Sequence, residues 1–470
     1  MTDTTHHRAF PATHHKAFPA IPELHAGLRA GRLTSVALTR RCLDRITEVN
    51  PLVRAVLAVD ETALDQAAAS DRRHAAGAAL GPLDGIPVLV KDNIDTAGLA
   101  STAGSRLLAG RPPRRDAEVV SRLRAAGAVI LGKTNLSEWA NFRSTRATEG
   151  WSGVGGQTCN PYGANRSPGG SSSGSAVAVA TGMAPLALGT ETDGSVVAPA
   201  GLCGVVGVKT ETGLLPLDGI VPISQVQDTV GLLAARLSDA ALTLAVLTGR
   251  PPPEDDVPDG LRLGLWRVPR MPGETETVLK SATEELRAAG VTVLPVDFAV
   301  ERQTLEDGLL AMYAEFRPSL EAYLRDRDGA PQTLAALIEG NRADPVELSL
   351  FGQDLFEQAQ LLGEEERERA VHARDRSKQQ ARALIDGTLR EHRIDALLAA
   401  TNEPAPRIDY ELGDPGAPGS STPAALAGYP NLTLPLDRRG GLPVGVSVFG
   451  PPETSRLLPV ALRIEQAWAD

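Results

Sequence analysis

The stretch at residues 167–199, SPGGSSSGSAVAVATGMAPLALGTETDGSVVAP, decides how the rest of this chain is interpreted. A Gly/Ser-rich loop enters the small-residue helix AVAVATGMA, which is followed by the short strand PLALG and a second small-residue loop, TETDGS. A Gly/Ser run alone is typical of a flexible linker. Here the run leads directly into an apolar helix, and the second loop lies between a strand and another apolar segment. Both loops are therefore predicted to belong to a folded core.

A βαβ pattern precedes this stretch. Residues 86–90 are predicted to form a strand, residues 118–127 a helix and residues 128–131 a second strand. Lys91 stands at the end of the first strand. A lysine at such a position is ordinarily interpreted as exposed and salt-bridged. A functional role for Lys91 is therefore indicated only when it is considered together with the two loops.

Strand and helix patterns continue to the C-terminus and predict an α/β fold. We expect one large mixed central β-sheet flanked by helices on both faces. Residues 1–20 carry the tandem repeat HHRAFPAT/HHKAFPAI and are predicted to be a flexible arm, and residues 21–470 a single domain. The catalytic core is predicted at 25–250 and 395–468, with a small βαβ unit and a helical, substrate-shaping region at 251–394.

Composition narrows the partners and the compartment. The 470 residues include 58 acidic and 47 basic side chains, and a net charge of −11 disfavours binding to nucleic acid. The sequence contains neither an apolar run of about 18 residues nor a leader-like start, so no membrane association is expected. Three scattered cysteines support neither a disulfide framework nor a Cys-x-x-Cys metal site, and a cytoplasmic location is predicted.

Two familiar sequence patterns occur in misleading contexts. Residues 127–134, GAVILGKT, match a phosphate loop, but the four intervening residues are predicted to be a strand and could not wrap around a phosphate. Residues 170–174, GSSSG, match a nucleophile elbow centred on Ser172 but lack the preceding strand. A Ser-His-Asp α/β-hydrolase that uses His372 or His392 remains an alternative.

Taken together, these segments resemble the amidase signature family. The resemblance is carried by GIPVLVKDN (85–93), GKTNLSE (132–138), GGSSSGS (169–175), GTETDGSVVAP (189–199), GVVGVK (204–209) and LPVG (442–445). NLSEWANFRS, GWSGVGGQTCNPY and PISQVQDT further resemble the branch that contains bacterial peptide amidases, which hydrolyse C-terminal carboxamides. The resemblance implies the amidase signature fold and an amide hydrolase that needs no metal or organic cofactor.

The resemblance also implies a Ser-Ser-Lys triad. Ser195 would be the nucleophile, Ser171, on a cis peptide bond, the bridging serine, and Lys91 the general base. A lysine can take this role only when it is neutral, which requires burial and neighbouring groups to lower its pKa from about 10.4 toward roughly 7 to 8.

The same resemblance implies two binding elements. The backbone N–H groups of Thr192, Asp193, Gly194 and Ser195 would form an oxyanion hole, because a glycine-containing loop can turn them toward one point. Trp139 and Ala140 would line the acyl pocket, although core packing is an equally good interpretation of Trp139.

Departures from the family pattern bear on the substrate. Val197 stands where many members have an arginine that could clamp a carboxylate, which argues against small anionic substrates. We expect a neutral, partly apolar carboxamide, including a C-terminal peptide amide. Cys159 replaces a frequent arginine and Glu403 an expected glycine, and both changes argue against strict peptide amidase specificity.

Two further alternatives stay open. One is the A-type subunit of a tRNA-dependent amidotransferase, which needs partner subunits; the other is a non-catalytic scaffold with the same fold. The presence of all three triad residues, Lys91, Ser171 and Ser195, argues against the scaffold, because a protein without catalytic activity would not need all of them. The predicted partners are a small-molecule or peptide amide and, at most, a second copy of the chain.

Overall fold

Eleven strands form one sheet whose order differs from their order along the chain. The computed structural model describes residues 18–251, 260–414, 418–436 and 441–469. The strands are β1 (Val56–Val59), β2 (Pro87–Lys91), β3 (Val129–Thr134), β4 (Trp151–Ser152), β5 (Gly156–Gln157), β6 (Leu186–Glu191), β7 (Val206–Lys209), β8 (Thr229–Ala234), β9 (Arg262–Trp266), β10 (Thr292–Val296), β11 (Ala396–Ala400), β12 (Asn431–Pro435) and β13 (Gly445–Phe449). The large sheet has the order β1-β3-β2-β6-β8-β7-β12-β13-β11-β9-β10, and β4 pairs with β5.

Helices connect most of these strands. They are α1 (Ile21–Arg29), α2 (Ser35–Val53), α3 (Ala63–Ala75), α4 (Glu118–Ala125), α5 (Ser173–Ala180), α6 (Val197–Cys203), α7 (Leu237–Thr248), α8 (Gly273–Ala288), α9 (Arg302–Leu324), α10 (Leu334–Ala343), α11 (Asp354–Leu361), α12 (Glu364–His392), α13 (Thr422–Ala427) and α14 (Thr454–Ala469). None of the helices in the described ranges combines the length and the apolar character needed to span a bilayer.

The sheet is mixed, which confirms the predicted fold class. Strand β2 runs parallel to both β3 and β6, whereas β6, β8 and β7 pair antiparallel. Every residue of β2, β3, β6, β7 and β8 is buried, as expected for strands covered on both faces by helices. Helix α5 is buried along its whole length because its residues are small and mostly apolar.

The C-terminal half of the chain extends the same sheet. Strands β9 and β10 pair in parallel around α8, matching the predicted βαβ pattern, and β11 joins β9 to β13. Helices α9 to α12 follow β10. Most of the predicted arm lies outside the described residues; at its end Phe18 is buried, and its carbonyl accepts a hydrogen bond from Arg236 Nη1 at 2.9 Å.

Parallel pairing of β2 with β6 positions the candidate site. Val90 lies opposite Leu188 in the register, so the carboxyl ends of both strands reach the same edge of the sheet. Lys91 ends one strand and Glu191 the other. In open α/β sheets, ligands bind at such an edge.

Residues 129–134 of the segment that resembles a phosphate loop form β3, which overlaps the strand predicted at 128–131. Lys133 is fully buried, and its amine donates hydrogen bonds to the Ile94 carbonyl and, at 2.9 Å, to Ser101 Oγ. Gly132 has a φ of +154°, and a Cβ placed there would lie 2.1 Å from the carbonyl oxygen of Ala58 in β1. Only glycine allows β1 and β3 to approach this closely.

Two glycine-to-alanine replacements test this close packing. One is at Gly132, where a side chain would meet the backbone of β1, and the other is at a helical glycine that faces open space. Gly132→Ala is expected to lower the free energy of unfolding by about 2 kcal/mol or more, because backbone must move. A Cβ on Gly387 in α12 would meet no atom of the described residues within 4 Å beyond its own stretch of helix, so Gly387→Ala should raise the free energy of unfolding by up to about 1 kcal/mol. Urea unfolding midpoints measure both; a Gly132→Ala protein as stable as the parent would contradict the prediction.

Candidate active site

Lys91 projects from the end of β2 into a polar but fully buried environment. Nζ donates hydrogen bonds to Ser171 Oγ at 2.8 Å, Thr190 Oγ1 at 2.9 Å and Thr190 O at 3.1 Å. Burial lowers the pKa of Lys91 to about 7, against the opposing influence of the Asp228 and Glu191 carboxylates. A neutral amine is therefore accessible near neutral pH.

Ser171 stands in the loop that enters α5. The Gly170–Ser171 peptide bond is cis, as the sequence resemblance implied. Ser171 is fully buried, and its carbonyl accepts a hydrogen bond from the Ser137 N–H at 3.1 Å. The neighbouring Ser172, the centre of the elbow-like pattern, is also buried and donates to the Thr190 carbonyl at 3.1 Å.

Ser195 follows β6 and precedes α6. It is 8% exposed, and its carbonyl accepts a hydrogen bond from the Ser172 N–H at 3.0 Å, which ties the two serine loops together. Among the hydrogen bonds of the described residues, none joins the side chains of Ser171 and Ser195. The structure thus connects Lys91 with Ser171 through side chains and brings Ser195 beside them through the backbone.

The loop before α6 leaves backbone donors available. Within the part of the chain that the structure describes, the N–H groups of residues 192–195 donate no hydrogen bond to another residue. Those of Val196 and Val197 both donate to a Glu191 carboxylate oxygen, at 2.7 and 3.0 Å. The carboxylate caps α6, and the preceding N–H groups remain free to meet an incoming acceptor.

A buried hydrogen-bond network fixes the loop of residues 192–195 in place. Thr192 Oγ1 donates to Asp228 Oδ1 at 2.5 Å, and the Asp228 Oδ2 atom accepts the N–H groups of Ile223 at 2.9 Å and Ser224 at 3.1 Å. Burial raises the pKa of the Asp228 carboxyl to about 7. Gln227 Nε2 donates to the Thr192 carbonyl at 3.0 Å. The loop is thereby fixed through both its backbone and a side chain.

The network continues into the helical region between β10 and β11. Arg374 of α12 donates to Gln227 Oε1, and it binds the carboxylate of Glu315 in α9 with two hydrogen bonds of 2.8 Å. Ser224 Oγ donates to the same carboxylate at 2.5 Å. Sequence reasoning missed Arg374, Gln227 and Glu315 as site residues, although Gln227 lies in the PISQVQDT motif that carries part of the family resemblance.

Trp139 and Ala140 lie in an aromatic cluster rather than on the wall of the cavity beside the serine loops. Trp139 is buried, and its ring meets that of Phe356 edge-on, with a centroid distance of 5.6 Å. Both Trp139 and Ala140 have positive φ, 52° and 55°. Asn141, the next residue, does line the cavity.

This cavity has a volume of about 410 Å³. Gly170 and Gly194, the neighbours of Ser171 and Ser195, form part of its wall. The described residues contain no group of three or more His, Cys, Asp or Glu side chains suited to hold a metal ion. A larger cavity, of about 940 Å³, lies elsewhere, around Asp95 and Arg327.

Known proteins resemble this chain over nearly its whole length. Residues 37–458 match the sequence model of the amidase family. A probable amidase of Arabidopsis thaliana is 34% identical, over 95% of this chain and 89% of its own length. The A-type subunit of the glutamyl-tRNA(Gln) amidotransferase from Chloroflexus aurantiacus is 36% identical, over 91% of this chain and 92% of its own.

Solved structures of amidases also resemble this chain. The native peptide amidase of Stenotrophomonas maltophilia superimposes with a TM-score of 0.90 at 41% identity, covering 96% of this chain and 97% of that one. An amidase family protein of Bacillus anthracis gives a TM-score of 0.84 at 28% identity, covering 96% and 91%. The chain is thus an amide-hydrolysing enzyme and belongs to the amidase signature family.

Proposed function

We propose that this protein cleaves a carboxamide to a carboxylic acid and ammonia or an amine through a covalent acyl-enzyme, with Ser195 as nucleophile, Ser171 as proton relay and Lys91 as general base. C-terminal peptide amides are included among the candidate substrates. The observation that carries the proposal is the fully buried Lys91 amine, 2.8 Å from Ser171 Oγ. A hydroxyl becomes a competent nucleophile only when a positioned base removes its proton.

The proton would move in two steps. Ser195 Oγ attacks the amide carbon while its proton passes to Ser171 Oγ and the Ser171 proton passes to neutral Lys91 Nζ. The resulting ammonium returns a proton along the same route to the departing nitrogen as the C–N bond breaks. Water then enters, is deprotonated by the same relay and hydrolyses the ester formed at Ser195.

The unoccupied N–H groups of residues 192–195 would stabilise the negative charge on the carbonyl oxygen. Loss of one such donor typically raises the barrier by about 3 to 4 kcal/mol. Since Asp228 and Gln227 fix the backbone that carries these donors, they are positioning residues in this proposal.

A second candidate function is that of the A-type component of an amidotransferase, which releases ammonia for a partner. Relatives of that name at 36% identity support this alternative. The 41% identity to a peptide amidase supports independent hydrolysis. Turnover of simple amides by the purified chain alone distinguishes the two.

Replacing the proposed nucleophile provides the first test. Ser195→Ala is expected to lower kcat by at least about 10³-fold without loss of the folded state, because the remaining groups cannot form the acyl-enzyme. Ser172→Ala and single replacements of His74, His372 and His392 should retain measurable hydrolysis. Ammonia release and intact-mass detection of the acyl-enzyme measure the outcome; full activity of Ser195→Ala, or loss confined to Ser172→Ala or a histidine variant, would overturn the assignment.

The pH dependence of kcat/KM tests whether Lys91 is the general base. Because only the neutral amine accepts a proton, kcat/KM should rise with pH through about 7 and level off above it. Asp228 has a raised pKa in the same range, so Asp228→Asn serves as the control. Its charge raises the pKa of Lys91, and its removal should move the rise to lower pH. Disappearance of the rise in Asp228→Asn would instead assign the titration to the carboxyl group.

Arg374 tests the positioning network. Arg374→Ala should lower kcat by about tenfold or more and change KM little, because the oxyanion donors act mainly in the transition state. Arg376→Ala is the matched control, since Arg376 lies on the same helix and binds Asp307 at 2.9 Å. Equal effects of the two variants on kcat, at equal thermal stability, would show that Arg374 has no specific role.

A further inference from the structure

Lys209 is a second buried lysine at the end of a strand. Its side chain is fully buried, and Nζ donates hydrogen bonds to the carbonyl oxygens of Tyr429 at 2.7 Å and Thr210 at 3.1 Å. An ammonium group has three protons to donate, and the described residues accept two from this one. No step of the proposed reaction uses Lys209. A buried cation with a spare proton needs a further acceptor.

The sheet register places Lys209 on the same face as Glu191. Lys209 lies opposite Gly231 of β8, and Gly231 lies opposite Gly189 of β6. Residues that face each other across paired strands share a face of the sheet, and so do residues two apart along one strand. The side chains of Lys209 and Glu191 therefore emerge on one face. The strand between them contributes only a glycine at the position opposite Lys209.

The start of α6 covers this face. A Cβ on Gly231 would lie 2.7 Å from Val196 Cγ2, and one on Gly207, two residues before Lys209, would lie 3.1 Å from the Val196 carbonyl oxygen. Val196 directly follows Ser195, the proposed nucleophile. Lys209 is thus placed beside the segment that joins the serine loop to α6.

Two buried side chains on the same face have polar atoms without partners. Glu191 Oε2 accepts the N–H groups of Val196 and Val197, whereas its Oε1 atom has no donor among the described residues. Asn431 of β12 is fully buried and lies opposite Lys209. Neither Oδ1 nor Nδ2 of Asn431 has a partner in the part of the chain that the structure describes. Exchanging the two atoms of this amide would therefore not satisfy it.

A water molecule fits these groups. Buried polar atoms in folded proteins are almost always paired, either with protein groups or with ordered water. The spare proton of Lys209, the acceptor Glu191 Oε1 and the amide of Asn431 supply the two to four partners that a buried water makes. Water can accept from the ammonium and donate to the carboxylate at once. A metal cation would be repelled by the ammonium group, and an anion by the carboxylate.

The charge of Lys209 also bears on the serine loop. Burial lowers the pKa of Lys209 to about 8, and the carboxylates of Glu191, Asp193 and Glu211 oppose that shift. The amine is therefore mainly charged at neutral pH. Glu191 and Asp193 stand on either side of Thr192, so this cation stabilises charges carried by the backbone that holds the proposed oxyanion donors.

We propose that Lys209, Asn431 and Glu191 bind an internal water molecule, and that Lys209 and Asn431 thereby act as positioning residues for the loop of residues 192–195. The water and the ammonium charge fix the Glu191 carboxylate, which keeps its other oxygen on the first N–H groups of α6. The preceding N–H groups then stay aimed at the substrate oxygen. The catalytic part of this inference rests on the proposed function, whereas the water site does not.

A double-mutant cycle tests whether Lys209 acts through Glu191. Lys209→Met removes the charge and should lower the maximum of kcat by about tenfold while changing KM less than about threefold, because oxyanion donors act mainly in the transition state. In a Glu191→Gln background the same replacement should lower kcat less than about threefold, since the charge that it balances is gone. Recording kcat across pH separates a lower maximum from a shift of the Lys91 titration. Equal losses in both backgrounds would overturn the inference.

Lys133→Met is the matched control. Lys133 is also fully buried in a strand, but its amine binds the Ile94 carbonyl and Ser101 Oγ. Its replacement should lower stability and leave the kcat of the folded protein within about threefold of the parent, as expected for a site without coupling to catalysis. A loss of kcat equal to that of Lys209→Met would show a general effect of removing a buried lysine and would overturn the positioning role.

Asn431→Leu provides a test that does not depend on Lys209→Met folding. Replacing an unpaired buried amide by an apolar side chain of similar size stabilises a protein, whereas replacing a water-bound amide leaves the water short of a partner. The melting temperature should therefore fall, and kcat should fall with it. A higher melting temperature or an unchanged kcat would contradict the proposal.

A crystal structure of the Ser195→Ala protein tests the water site without turnover. One ordered water is expected at about 2.7 to 3.2 Å from Lys209 Nζ, Glu191 Oε1 and a side-chain atom of Asn431. Direct pairing of these groups with no water between them would overturn the inference, whatever the enzyme hydrolyses. The water in place, together with full activity of Ser195→Ala, would support the site and overturn the proposed function.

Discussion

The structure depends on burying one amine, that of Lys91, so deeply that its pKa falls to about 7. Desolvation penalises the ammonium form of Lys91, while the two carboxylates in its surroundings, Asp228 and Glu191, favour it. Both carboxylates are engaged elsewhere, one with Thr192 and the other with the N-terminus of α6. Among the described residues, the amine donates hydrogen bonds only to hydroxyl and carbonyl oxygens. Burial therefore dominates, and the lysine can act as the proposed base where a surface lysine could not.

The sheet and its glycines make this environment possible. Parallel strands β2 and β6 bring Lys91 and Thr190 together, and α5 lies close enough to the sheet edge that Ser171 reaches the amine. A Cβ on Gly174 would lie 2.3 Å from the Ala55 carbonyl oxygen, and one on Gly189 would lie 2.7 Å from Ser172 Oγ. Larger residues would push the helix away from the strand ends. The glycine-rich motifs are thus required by packing as well as by loop conformation.

The sequence predicted the parts of the site that stand in short motifs. The mixed sheet and the strand that ends at Lys91 were predictable because their patterns are local, whereas the catalytic roles of the loops around Ser171 and Ser195 came from the family resemblance and stay predictions. Arg374 was not, since its contact with Gln227 spans 147 positions and the charged pattern of α12 is typical of a solvated helix. The cavity beside the serine loops was missed for the same reason: the hydrogen bond from the Glu149 N–H to the Asp414 carboxylate, which joins two of its walls, spans 265 positions. Motifs identify chemistry, whereas long-range packing determines which side chains surround the substrate.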